Sequence, residues 1–203
     1  MCLLLESICW ENGRMALLDH HLNRMNSSRR ELLGITDAIN FPLNLKPPNN
    51  PQSKWKLRIT YNQSINSIQW IPYIKSNPTK VLVLDPGPIS YSFKFADRTV
   101  FENIKKEHPD FDDFIFLQNN YLTDGSYSNI LLKSGEKWYT PATPLLEGVR
   151  KKHLINQGLI RERQLTKEDL IHADEIRLIN AMLPFEDAII LWVENLFFLN
   201  NKS

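Results

Sequence analysis

Apolar positions along this chain change period several times, and the changes mark out its elements. Residues 2–10 read as a buried strand, Glu11, Asn12 and Gly13 as a strong hairpin turn, and residues 14–18 as the returning partner. A helical stripe follows, with Leu22, Met25, Leu32 and Leu33 on its buried side, Asp19 as its cap and Gly34 as its stop. Arg24, Arg29 and Arg30 fall on the face expected to meet solvent. Residues 41–53, rich in proline and asparagine, form a loop. Trp55 to Tyr61, residues 65–75 and residues 81–84 are three further strands.

The break at Asp85-Pro86-Gly87-Pro88 is the clearest boundary in the chain. It predicts a small α+β domain over 1–84, a linker over 85–90, and a larger α+β domain over 91–203. The larger domain should hold a strand at 91–95, a helix at 98–107, strands at 113–117 and 130–132, a turn at Ser134-Gly135-Glu136 and a strand at 137–140. A helix from Gly148 to Gly158 follows, then an extended run over 159–165. Thr166 to Asp169 has a capping-box pattern, and strands at 175–179 and 188–193 close the chain.

Composition narrows the field. The 203 residues carry 24 Lys and Arg against 23 Asp and Glu, so a net charge of +1 gives no electrostatic case for nucleic acid or anionic membranes. Cys2 and Cys9 cannot build a disulfide framework, which points to a reducing, cytoplasmic setting. Residues 1–8 are too short, and too interrupted by Glu6, for a signal peptide or membrane span. Asn26, Asn62 and Asn201 start glycosylation-type triplets that mean little without secretion. The five histidines show no metal-ligand spacing, so no metal site is expected. Ser126 and Ser128 lack the nucleophile-elbow pattern of a serine hydrolase.

The stretch from Leu122 to Ile130 gathers an acid, a glycine and several small polar residues where a hairpin needs only a two-residue turn. Downstream, a proline-rich approach leads to Gly148, Val149 and Arg150 at a helix start. An acid near a turn followed by a glycine-led helix suggests a ligand with a cationic ring and a phosphate. Each residue also has a plainer reading. Lys94, between Phe93 and Phe95, is a solvent-facing strand lysine, or a partly desolvated amine suited to Schiff-base chemistry. Asp124 is a turn residue, Arg24 a surface helix residue, and Asn180 the stop of a strand. The basic and aromatic run at Lys54 to Arg58 is read as an amphipathic strand.

Together these residues resemble the class IV aminotransferase family, pyridoxal-phosphate enzymes of fold type IV. The family includes branched-chain and D-amino-acid aminotransferases and 4-amino-4-deoxychorismate lyases. Leu5-Glu6-Ser7-Ile8 looks like its Phe-Glu-Thr-aliphatic strand, and His21-Leu22-Asn23-Arg24 like its His-Leu-x-Arg helix. Thr123-Asp124-Gly125-Ser126-Tyr127-Ser128-Asn129-Ile130 is close to the signature Thr-Glu-Gly-Ser-x-Ser-Asn-aliphatic. Ala173-Asp174-Glu175 with Asn180-Ala181-Met182 resembles the late strand of the lyases, and Lys94-Phe95-Ala96-Asp97-Arg98 their Lys-x-x-Asn-Arg.

The resemblance implies a two-domain α+β, D-amino-acid-aminotransferase-like fold with a shortened N-terminus, since nothing here corresponds to the family's first strands. It implies pyridoxal 5'-phosphate as cofactor, held by Arg24, Lys94, Asp124, Val149, Arg150 and Asn180. Lys94 would be the catalytic Schiff-base lysine and Asp124 the acid at the pyridine nitrogen. Arg24 would serve as a phosphate fork, with the Val149 and Arg150 amides and Asn180 as further donors. A homodimer and a small amino substrate are implied by analogy. The lyase motifs imply release of pyruvate and 4-aminobenzoate. Transamination of a small branched-chain or D-amino acid is the alternative, and a non-catalytic relative that has lost the front of the site is another.

Overall fold

The computed structural model describes residues 2–50 and 52–199, so the Asn201 triplet lies outside them. The chain divides into two compact units. One is Met1–Lys75 with Phe93–Asp97, the other Ser76–Ser92 with Arg98–Ser203.

The first unit is an antiparallel sheet and one helix. Strands β1 (Leu4–Glu11), β2 (Arg14–Met15), β3 (Trp55–Tyr61) and β4 (Ile65–Pro72) stand in the order β2-β1-β3-β4. Asn12 and Gly13 take the positive φ values, 51° and 78°, that the tight β1–β2 turn needs. Helix α1 (Leu18–Leu33) follows. Its cap is Leu17, in a left-handed conformation with no side-chain hydrogen bond, rather than Asp19, which lies inside the first turn. Gly34 stops it as expected, at φ 68°, donating its N–H to Arg30 O.

Period-2 alternation puts Leu4, Glu6 and Ile8 on one face of β1, opposite Tyr61, Ile59 and Leu57 of β3. Leu4, Ile8, Leu57, Ile59 and Tyr61 form a core with Met25 of α1, Ile39 and Phe41. Glu6 is therefore aimed into an apolar layer. Of the supposed solvent-facing arginines only Arg30 is exposed. Arg29 is buried, donating to Gln63 O and to Asp37 O and so tying α1 to the two loops that carry them. Leu32 is in turn partly exposed.

Phe93–Asp97 is not a regular strand. Leu5 N–H donates to Lys94 O (2.8 Å), Ala96 N–H to Leu3 O (2.8 Å), and Phe95 N–H turns back to Phe93 O (2.8 Å). The last bond closes a three-residue turn centred on Lys94. Phe93 and Phe95 pack on the same core, with ring centroids 6.1 Å apart, as their spacing suggested.

The second unit is built on a mixed sheet. Strand β5 (Val81–Leu84) is wholly buried and pairs parallel with β6 (Asp113–Gln118) through helix α2 (Thr99–Glu107). This pairing places β5 in the second unit, although it precedes the proline-rich break. β7 (Tyr121–Gly125), β8 (Asn129–Ser134), β9 (Lys137–Pro141) and β10 (Arg161–Arg163) extend the sheet from β6. β11 (Glu175–Ile179) pairs with β8 and with β12 (Ile189–Leu191), and β13 (Leu196–Phe198) lies parallel to β5. Helix α3 (Val149–Asn156) starts after Gly148. Helix α4 (Lys167–Ile171) carries the expected capping box between Thr166 and Asp169. Leu131, Leu154, Ile160, Ile179 and Ala188 form a core around α3.

Candidate functional site

The sequence-predicted residues fall into two clusters, one in each unit. In the first, Glu6 on β1 faces His21 and Arg24, which stand i, i+3 on one side of α1. Glu6 is fully buried. Its two oxygens accept from Arg24 Nε and Nη2, each at 2.7 Å, and Oε2 also meets His21 Nδ1 at 2.7 Å. Burial alone would push the Glu6 carboxyl up. The Arg24 guanidinium and His21 overcome that and hold it well below the usual carboxylate range. Burial pushes His21 down, against the pull of Glu6 and with help from Arg24 and Lys94. The imidazole is thus neutral, Nδ1–H donates to Glu6, and Nε2 is a buried acceptor with no hydrogen-bond partner among the described residues. Lys94 is partly buried and hydrogen-bonded through its backbone to Leu5, next to Glu6 in β1.

The second cluster surrounds the β7–β8 turn. Asp124 and Asn129 pair across the two strands. Asn129 Nδ2 donates to Asp124 Oδ1 (2.7 Å) and to Leu146 O (3.1 Å), while Leu146 N–H donates to Asp124 Oδ2 (2.8 Å). Asp124 is only 5% exposed. Burial pushes its carboxyl up to about 7 despite the downward pull of the Leu146 and Asn129 donors and of Lys151, with Glu147 adding to the rise.

These contacts fix the entrance to α3. Gly148 passes so close to Asn129 that a Cβ there would lie 1.8 Å from Asn129 Oδ1, so any side chain at this position must displace the Asn129 amide or the start of α3. The first-turn amides of α3, Val149 and Arg150 among them, have no carbonyl of their own helix to bond, so the helix start favours an anion. The fully buried Lys151 bonds Glu147 (3.0 Å) and Glu162 (2.8 Å) and so ties that turn to β10. Arg150 Nη2 donates to Ala181 O (3.4 Å), and Asn180 Nδ2 to Tyr127 O (3.3 Å). Asn180 Oδ1 also accepts from Met182 N–H. Asn180 thus braces the β7–β8 turn that carries Asp124, while Arg150 ties α3 to Ala181.

Sequence reasoning did not single out Glu6, His21, Asn129 or Lys151 as site residues. For the first two the i, i+3 spacing of His21 and Arg24 was the available signal. Their common partner, 15 and 18 residues away, is visible only in the fold.

Residues 98–185 match the family model for amino-transferase class IV. An uncharacterized protein of Haemophilus influenzae is 33% identical over 182 residues, 88% of this chain and 97% of that protein. The chain belongs to the class IV aminotransferase family. A proposed 4-amino-4-deoxychorismate lyase from Haemophilus somnus 129PT is similar in structure, with a TM-score of 0.72 and 28% identity over 90% of this chain and 97% of its own. A proposed amino-acid aminotransferase from Mesorhizobium loti has a TM-score of 0.73 at 17% identity, covering 98% of this chain and 100% of its own, which shows the shared fold. A hypothetical aminotransferase from Mycobacterium tuberculosis, solved with pyridoxal phosphate bound, has a TM-score of 0.72 at 17% identity over 94% of this chain and 80% of its own. No helix among the described residues is long and apolar enough to cross a membrane.

The family depends on pyridoxal phosphate, and the donor set fits that group. Asp124 is a buried acid beside neutral hydrogen-bond donors, whose anion a cationic ring N–H would stabilise. The Ser128 hydroxyl is buried with no partner among the described residues, and the start of α3 suits a phosphate.

Proposed function

We propose that this protein is a pyridoxal-phosphate-dependent lyase that converts 4-amino-4-deoxychorismate to 4-aminobenzoate and pyruvate. The observation that carries the reading is the Haemophilus somnus structure, which this chain matches across 97% of its length at 28% identity. Arg98, after Lys94-Phe95-Ala96-Asp97, supports it as the residue the lyases carry there.

When bound, pyridoxal phosphate supplies an electron sink for charge that develops at the substrate carbon. Lys94 would hold the cofactor's aldehyde carbon through Nζ. Displaced by the substrate amine, Nζ would take the proton from the amine-bearing carbon and return it to the departing enolpyruvyl group. Asp124 would keep the ring nitrogen protonated. Arg24, held by Glu6, would serve as the fork for the phosphate. The Val149 and Arg150 amides would complete that anion site, and Asn180 would brace the turn that carries Asp124. Location in the cytoplasm and a homodimer complete the proposal.

Transamination is the second reading, favoured by the family match itself. The two differ in stoichiometry. The lyase releases one pyruvate per 4-aminobenzoate with no keto acid added, whereas transamination stops after one turnover without a keto-acid acceptor. Coupled detection of pyruvate, with purified protein and no acceptor, should show sustained release that Lys94→Ala abolishes. Wild-type rates in Lys94→Ala would remove the assignment, and dependence on a keto acid would transfer it to the aminotransferases.

A further inference from the structure

We infer that Arg98 is a positioning residue: its guanidinium clamps the Ser126–Tyr127–Ser128 turn and thereby fixes the pose of Asp124. The inference rests on the proposed role of Asp124 at the cofactor ring, but its geometry stands apart from any cofactor.

Arg98 precedes α2, and its side chain enters an aromatic cage. Its Cζ lies 4.4 Å from the ring centroids of both Phe101 and Tyr127 and 5.6 Å from that of Tyr91. Nη1 donates to Tyr91 Oη (3.2 Å) and Nη2 to Ser126 O (2.5 Å). Asn180 takes the next carbonyl, Tyr127 O, from a different element. Two consecutive carbonyls of the turn are therefore held by two side chains, and the bond from Gly125 N–H to Ser128 O (2.8 Å) closes the loop.

The turn has only three residues between the end of β7 and the start of β8. Movement of Ser126 must pass to Gly125 or to Asn129, and either displaces the Asp124–Asn129 pair. Burial, Leu146 N–H, Asn129, Lys151 and Glu147 all act on Asp124. Loss of the Arg98 charge by itself would raise the Asp124 carboxyl, so a downward move on substituting Arg98 is carried by the turn. Only a planar cation can lie against two rings while donating from separate nitrogens, so lysine is an imperfect substitute.

The test uses the full chain with Arg98→Met, which keeps length and apolar contact, and Arg98→Lys. Three readouts apply: amide hydrogen exchange at Gly125 and Asn129, the Asp124 carboxyl titration by carbon NMR, and the affinity for pyridoxal phosphate across pH. Arg98→Met should speed exchange at both amides at least about tenfold. It should also admit water to Asp124, whose burial acts on it most strongly, moving its midpoint down toward ordinary carboxylates even as the Asn129 donor weakens, and it should weaken cofactor binding at least about tenfold. Arg98→Lys should recover part of each. Should Arg98→Met fail to fold, Tyr127→Leu removes one wall of the cage at a largely exposed position and should give the same changes in smaller measure. A lowered melting temperature with Asp124 titrating as in wild type would overturn the proposal. The first two readouts need no cofactor, so failure of wild type to bind pyridoxal phosphate would strike the functional reading and leave this one standing.

Discussion

Two buried carboxylates, one in each unit, respond to burial in opposite ways. Glu6 has a guanidinium and an imidazole N–H on its oxygens and stays ionised. Among the described residues, Asp124 has only a backbone N–H and a side-chain amide on its oxygens, and burial raises it to about 7. The same chemical group is thus electrostatically complete in one place and short of a cation in the other. Charge pairing inside a protein is decisive because the medium gives a lone anion so little else. A completed cluster fixes a scaffold, here the orientation of Arg24. An incomplete one is where a cationic ligand gains most, as the pyridinium of the proposed cofactor would.

The largest expected effect comes from breaking the completed cluster. Glu6→Gln strips the counter-charge from Arg24 and forces an amide against His21. Removing one partner of a buried pair costs about 3–5 kcal/mol, and Glu6 serves two partners. Urea denaturation should show a loss at the top of that range, while the titration of Asp124 in the other unit stays put. A loss below about 1 kcal/mol would mean that Glu6 is not the keystone of its unit.

The incomplete cluster predicts a pH dependence next in size. Native Asp124 keeps its proton up to about 7, whereas the unfolded chain releases it near 3.8. Between those values the native state binds the extra proton, so this group's contribution to stability falls as pH rises, by roughly 4 kcal/mol at most. His21, with its pKa lowered, acts in the opposite sense, since its contribution is lost as pH falls below about 6.5. The wild-type profile mixes the two, and Asp124→Asn separates them. Its stability relative to wild type should climb from pH 5 to pH 8 in the absence of cofactor. Saturating pyridoxal phosphate should remove most of that climb by supplying wild type with the missing cation. A flat difference across that range would place Asp124 among ordinary carboxylates.

Much of the scaffold was legible because its signals are local. The Asn12-Gly13 turn, the stop at Gly34 and the Thr166–Asp169 box each depend on residues within one turn of chain. Less local features were hidden. Strand β13 is three residues long and takes its identity from parallel pairing with β5, more than a hundred positions earlier. Strand β7 was absorbed into the polar stretch because its turn, Asn119-Asn120, uses positive φ at two asparagines instead of a glycine. Lys94 sits in a three-residue turn where alternation suggested a strand, yet its flanking rings pack as alternation required. In the site, Asp124 stood out as an acid in an unusually polar turn. The demands on Asn129 depend on Leu146 and Gly148, which no spacing rule connects to it.

That last connection gives the smallest expected effect and the sharpest test of how the second cluster is held. Gly148→Ala places a methyl group 1.8 Å from Asn129 Oδ1. The backbone at Gly148 is ordinary extended chain, with φ −71°, so alanine meets no conformational strain there and the clash is the whole cost. Relief requires either that Asn129 swing away, releasing Asp124 and Leu146, or that the start of α3 withdraw. Such overpacking costs about 1–3 kcal/mol. The two routes differ in their consequences. If Asn129 moves, Asp124 loses a donor and its midpoint rises further; if α3 moves, anion affinity falls with Asp124 unchanged. Asn129→Ala removes the obstructing oxygen, so adding Gly148→Ala to that background should cost markedly less than in wild type, a coupling readable in a double-mutant cycle. Strict additivity would mean that the glycine is required by something other than the amide that binds Asp124.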